Sequence, residues 1–189
     1  QAFHALSGIM HMAVRTDKEA VPRHRGISFL MVPNDIPGVE LVRLPLIARR
    51  AVGTCSVFLD DAKVPKENLI GELNKGWKVI TGHLELERMV VAAAVVGEGQ
   101  SALDDAVAYA KDRVQFGQSI SKFQEIGHKL AELHAELEAA RWLTYRVAWM
   151  IKERVPCRNE VAMANLLGTE TLQRISLQGM QTMGGYSLL

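Results

Sequence analysis

The strongest constraint in this chain is a row of apolar positions stepped by threes and fours: Phe123, Ile126, Leu130, Leu133, Leu137, Ala140, Val147 and Ile151, with Thr144 filling one place. Such a row follows one side of a helix and no side of a strand. The spacing therefore predicts a long helix from about Lys122 to Arg154 with one buried seam. Pro156 follows, which suits a helix end. A helix with one apolar seam needs neighbours, and the sequence offers two. One helical pattern runs from Trp77 to about Lys111, and another from about Asn159 to Met183, where Gly184-Gly185 stops it.

Before Gly76 the period is different. "GISFLMVP" is a compact apolar run closed by Pro33, "NDIPG" is turn chemistry, and "VELVRLPL" and "TCSVFLDDAKVP" follow as further strands. Five of the six prolines precede Lys66. The fold class is α+β: an antiparallel β-domain portion over 1–75, then a C-terminal bundle of long α-helices over 76–189. There is no internal repeat and no low-complexity tract.

With 189 residues, 48% of them hydrophobic, the chain can bury a sizeable core. A net charge of +1 gives no broad electrostatic reason to expect nucleic acid or an anionic membrane. No apolar run reaches the roughly 18 residues of a membrane span. Cys55 and Cys157 lie far apart without metal-ligand company. A reducing compartment is the simpler reading, although a single disulfide stays open. The start has no signal-peptide pattern and no initiator Met, and reads as an interior cut.

Two stretches carry more chemistry than their local structure needs. In the first helix Trp77, Ile80, Leu84, Val91 and Ala94 form a stripe that Glu87 interrupts. A carboxylate there either reaches water at the stripe's edge or is buried. Burial would raise its pKa and make it a usable base. The second stretch, "KDRVQFGQSISKFQ" from Lys111 to Gln124, sits at the bend between two helices. A bend needs its Gly; the added Arg, Phe and Gln suggest a large ligand. Each has a structural alternative: Arg113 complementing a helix C-terminus, Phe116 in the core, Gly184-Gly185 as a plain helix stop, and Glu85–Arg88 as an ion pair spaced three apart.

"LELERMVVAAAVVGEGQSALDDAVAYAKDRVQFGQSISKFQEIGHKLAEL" resembles the central and C-terminal helical region of the acyl-CoA dehydrogenase family. "GISFLMVP" with "IPGV", "GTCSVFLDDAKVP" and "NKGWKVI" resembles the later half of that family's middle β-domain. "QTMGGYS" resembles its flavin-contacting Gly-Gly segment. The ordered set covers nearly the whole chain. It implies an FAD-dependent oxidoreductase acting on the α,β-bond of an acyl-CoA thioester: a glutamate takes the α-proton and the β-hydrogen leaves as hydride to flavin. The resemblance puts Glu87 at an alternative position of the catalytic glutamate, used by a minority of the family. It puts Glu85, Leu86, Glu87 and Arg88 in the acyl-CoA contact segment. Arg113 falls at the FAD pyrophosphate, Phe116 and Gln124 against the cofactor, and Gln181, Gly184 and Gly185 near its adenosine half; no metal is implied.

Glu87 and Arg113 are 26 positions apart, roughly 39 Å on a continuous helix, too far for one flavin to meet both. The family resemblance resolves this with a neighbouring subunit, implying a homo-oligomer (dimer or tetramer) or a heterotetramer. It also implies electron-transfer flavoprotein as electron acceptor, and the bacterial cytoplasm or mitochondrial matrix as compartment. Most family members carry the catalytic glutamate beyond the Gly-Gly segment, past Leu189, so that base stays open beside Glu87. The stretch from His4 to Val14 looks too short for the strand pairing expected there. Asn165 stands where the family often has lysine. A same-fold flavin monooxygenase or oxidase, or a non-catalytic subunit completing a partner's FAD site, are the alternatives.

Overall fold

The computed structural model describes residues 8–47 and 53–188, with the backbone of 2–3. The chain divides into two compact units, Gln1–His83 and Leu84–Leu189, and the division falls inside the first helix.

In the first unit every described strand pairs antiparallel, and the helix begins at Gly76. One sheet takes β1 (Ala2–Phe3), β5 (Thr54–Leu59) and β4 (Val39–Arg43) in that order. The other takes β2 (Ile9–Arg15), β3 (Ile27–Pro33) and β6 (Leu69–Ile70). The expectation that the start is too short for its pairing is corrected here. Strand β2 pairs with β3 over its whole length, from Ile9 opposite Pro33 to Arg15 opposite Ile27. Alternation along β2 puts Met10 inward, and its cross-strand partner Val32 is buried with it. His4 to Ser7 lie outside the described residues.

Entry into the first helix is tied to this sheet. The Asn74 amide donates to Ser28 Oγ at 2.8 Å, and the Ser28 and Thr16 hydroxyls are 2.6 Å apart. Thr16 in turn donates to Asn74 Oδ1 at 2.5 Å. Each hydroxyl donates once and accepts once, so fully buried Ser28 carries no unsatisfied oxygen. Asn74 takes φ 62°, a conformation that Asn tolerates. Gly76 has no such φ; it is needed because a Cβ would sit 2.5 Å from the Phe29 nitrogen.

The second unit is the helical one. Helix α1 (Gly76–Asp112) runs into it unbroken. A small hairpin follows, β7 (Val114–Gln115) and β8 (Gln118–Ser119), then α2 (Gln124–Lys152) and α3 (Arg158–Met183). The seam on α2 is buried from Leu130 through Leu133, Leu137, Ala140, Thr144 and Val147. Thr144 is tolerated because its hydroxyl donates to the Ala140 carbonyl at 2.8 Å. At the far end Met150 is the buried residue and Ile151 only packs beside it. Small residues let α1 pack closely on both neighbours: a Cβ on Gly99 would lie 3.1 Å from Leu137 Cδ1 of α2 and 3.5 Å from Ile175 Cδ1 of α3, and one on Gly168 of α3 would lie 3.0 Å from Val95 Cγ2.

The stripe expected on α1 is not the face that packs. Ala92, Val96, Leu103, Ala106 and Ala110 are buried, while Val91, Ala94 and Glu87 are exposed. Helix α1 carries Ala and Val on several faces, so apolar period alone does not single out the packed one. Glu87 lies about 160° around the helix from half-buried Glu85 and Met89, away from the bundle.

Candidate functional site

The hairpin after α1 is where the site begins. The Arg113 amide closes the last turn by donating to the Tyr109 carbonyl at 2.9 Å, and the Ile120 amide donates back to the Arg113 carbonyl at 2.9 Å. Ser119 Oγ donates to the Ala110 carbonyl at 2.8 Å, one of the carbonyls that a helix end leaves without a partner. Val114 pairs with Ser119 and Gln115 with Gln118, leaving Phe116 and Gly117 as a two-residue turn. Their φ values are 52° and 79°, the double positive of a type I′ turn.

Glycine adopts that geometry freely and phenylalanine does not. Left-handed backbone costs an L-residue roughly 1–2 kcal/mol, and asparagine is the usual residue in that place. Phe116 occupies it while 93% exposed, touching Phe123 edge-on at 6.2 Å. Phe116 is therefore not a core residue. It is a strained, presented aromatic ring.

A cleft of about 490 Å³ lies beside this hairpin, lined by Tyr109, Arg113, Gln115, Ile120, Thr182, Met183, Gly184, Gly185 and Tyr186. It brings Arg113 together with Gly184 and Gly185, across 71 positions (184 − 113) of sequence. Among the described residues no carboxylate pairs with Arg113. Gly184 stops α3 at φ 60°, its amide donating to the Met180 carbonyl. Gly185 has no positive φ, and a Cβ there would meet nothing within 4 Å. Neither backbone conformation nor internal packing requires glycine at 185, and the bare backbone is open to a ligand.

The other residues expected at the cofactor do not line this cleft. Phe116 is at the hairpin tip, Gln124 opens α2, and Gln181 is exposed on the last turn of α3. Tyr109 and Tyr186, whose rings meet at 6.2 Å, went unnoticed in the sequence. Tyr186 directly follows the Gly-Gly pair, and Tyr109 stands four before Arg113; those spacings were the available signal.

At the other end of the unit, one turn of α1 holds Glu85, Leu86, Glu87 and Arg88. The last three are exposed and Glu85 is half-buried. The Glu85–Arg88 ion pair does not form. Glu85 is instead approached by the Cys157 thiol, 3.8 Å from its Oε2, because its side chain turns toward the bundle and Arg88's does not. Asn165 Nδ2 donates to the Arg88 carbonyl at 3.4 Å, which accounts for a short amide at that place. Both cysteines are free and buried. No cluster of metal-ligating residues occurs among the described residues, and no described helix is long and apolar enough to cross a membrane.

A cation with no carboxylate partner among the described residues, glycine backbone open in the same cleft and a presented aromatic ring fit a ligand with both phosphates and aromatic rings, as FAD has.

Comparison with known proteins gives the family. The family model described as acyl-CoA dehydrogenase, C-terminal domain, matches residues 74–189. The rat mitochondrial short-chain specific acyl-CoA dehydrogenase is 38% identical over 164 residues, covering 86% of this chain and 40% of that protein. A probable acyl-CoA dehydrogenase of Bacillus subtilis, YngJ, is 39% identical over 160 residues, covering 84% of this chain and 42% of the relative. The crystal structure of an acyl-CoA dehydrogenase from Geobacillus kaustophilus superposes with a TM-score of 0.95 at 34% identity, over 100% of this chain and 50% of that one. The chain thus spans about 40% of the length of the curated relatives it matches. With the family model covering more than half of its residues, the chain belongs to the acyl-CoA dehydrogenase family.

Proposed function

We propose that the protein containing this chain is an FAD-dependent acyl-CoA dehydrogenase, in which the chain supplies a general base and part of the cofactor site. The observation that carries this reading is the cleft that joins Arg113, without a carboxylate partner among the described residues, to the open Gly184–Gly185 backbone. Phe116, strained at φ 52°, is exposed at the tip of the hairpin that carries Gln115, another residue of that cleft. Arg113 would bind the pyrophosphate with charge-assisted hydrogen bonds. Phe116 and Gln124 would pack against and hydrogen-bond the cofactor. Gln181, Gly184 and Gly185 would border its adenosine half.

The turn Glu85 to Arg88 would meet the acyl-CoA, presenting Leu86, Glu87 and Arg88 while Glu85 anchors it. In the reaction, the Glu87 carboxylate takes the proton from the thioester α-carbon, and the C–H electron pair becomes the new α,β double bond. FAD, when bound, supplies the acceptor for the hydride that leaves the β-carbon. Unbroken helix runs from Glu87 to Asp112, and Arg113 follows directly, 26 positions from Glu87, so a site using both draws them from two copies, and the enzyme acts as an oligomer. Electron-transfer flavoprotein as the next electron acceptor, and the bacterial cytoplasm or mitochondrial matrix as the compartment, suit that chemistry.

The test is anaerobic mixing of the full-length, FAD-loaded protein with acyl-CoA thioesters. The flavin should bleach. Flavin that stays oxidised with every thioester would refute the activity and favour a non-catalytic subunit. Flavin that bleaches and reoxidises rapidly in air would favour an oxidase.

A second expectation concerns the fold. Phe116→Asn relieves the left-handed strain and removes only an exposed ring, so stability should stay within about 1 kcal/mol of the parent. The loss of a core aromatic would cost roughly 3–5 kcal/mol. FAD retention should fall in the same variant. Thermal unfolding with and without added FAD separates the two; a large loss of stability without FAD would make Phe116 a folding residue.

A further inference from the structure

The Cys157 side chain, 1% exposed, ends the connection between α2 and α3 and occupies the N-cap position of α3. Its thiol reaches Glu85 Oε2 at 3.8 Å across 72 positions of sequence. Burial pushes the Cys157 thiol pKa up, and the Glu85 and then Glu160 carboxylates add to this. The thiol therefore stays protonated near neutrality and is the donor in this contact. A second tether lands on the same turn of α1, where Asn165 Nδ2 meets the Arg88 carbonyl at 3.4 Å. Both tethers come from the α3 side, on residues that project about 160° (Glu85) and about 100° (Arg88) around the helix from Glu87.

We infer that Cys157 is a positioning residue, whose thiol holds Glu85 and so sets the rotation of the α1 turn that aims Glu87. This rests on the proposed dehydrogenase reading. Glu85 and Glu87 project about 160° apart, so one carboxylate can be held inside the bundle while the other faces a ligand. Small errors in the placement of a reacting group cost rate steeply. A weak thiol bond is enough to matter when it fixes direction rather than stability.

The test is a double-mutant cycle in the full-length holoenzyme, with anaerobic flavin reduction by acyl-CoA as one readout and thermal unfolding as another. Cys157→Ala should slow reduction about three- to ten-fold with FAD content unchanged. Cys157→Ser keeps a donor and should recover most of that rate, even though a hydroxyl in this buried place lowers the unfolding temperature as much as alanine does. Glu85→Ala should match Cys157→Ala, and the double variant should be no slower than either. Independently of turnover, the infrared S–H stretch that Cys157→Ala removes should shift in Glu85→Ala. Reduction at the parent rate in Cys157→Ala, additive losses in the double variant, or an S–H band indifferent to Glu85 would each overturn the inference alone. A parent protein whose flavin no acyl-CoA bleaches would overturn the dehydrogenase reading beneath it.

Discussion

Replacing Glu87 with Gln should slow the reduction of flavin by acyl-CoA by roughly 10²–10⁴-fold, the usual cost of removing a general base. The side chain keeps its size and loses only its ability to take a proton. Glu87 is exposed on the side of α1 opposite to the bundle, so the substitution disturbs no packing. FAD content, unfolding temperature and acyl-CoA binding should stay near the parent values. Stopped-flow bleaching of the flavin is the measurement. Near-normal reduction would move the base to a glutamate beyond Leu189 and leave Glu87 as a residue of the substrate segment.

Replacing Arg113 with Ala should weaken FAD binding by roughly 1.5–3 kcal/mol, the worth of a charge-assisted contact. That is about a 10- to 150-fold rise in the dissociation constant. The guanidinium has no carboxylate partner among the described residues, so its removal leaves no orphaned charge. Its backbone bonds to Tyr109 and Ile120 survive the substitution. The apoprotein should therefore unfold as the parent does. Fluorescence titration with FAD, at two salt concentrations, would show a weaker salt dependence in the variant as well as weaker binding.

The helices were legible because seam residues such as Leu133, Leu137 and Val147 admit only one period. Helix α1 was legible in extent and not in orientation. Its Ala and Val residues fall on several faces, and packing against α2 and α3 through Gly99 and Gly168 selects the face that is buried. The type I′ turn at Phe116-Gly117 was hidden for a related reason. Phenylalanine is the wrong residue for the first place of such a turn, so local preference pointed elsewhere. Glu85 joining Cys157 rather than Arg88 was invisible because a contact across 72 positions leaves no local pattern. The cleft needed Arg113 and Gly184–Gly185, 71 positions apart in sequence, to be brought to one end of the unit by the packing of α1 and α3.

The central claim is that one active site takes Glu87 from one copy and Arg113 from another, and subunit mixing tests it. Glu87→Gln and Arg113→Ala proteins, each impaired alone, would be unfolded together in equal amounts, refolded with limiting FAD and assayed for flavin reduction by acyl-CoA. In a two-fold assembly, a mixed pair contains one site with both residues intact, so about one site in four should regain the parent rate. Mixtures no more active than the average of the two variants would contradict the shared site.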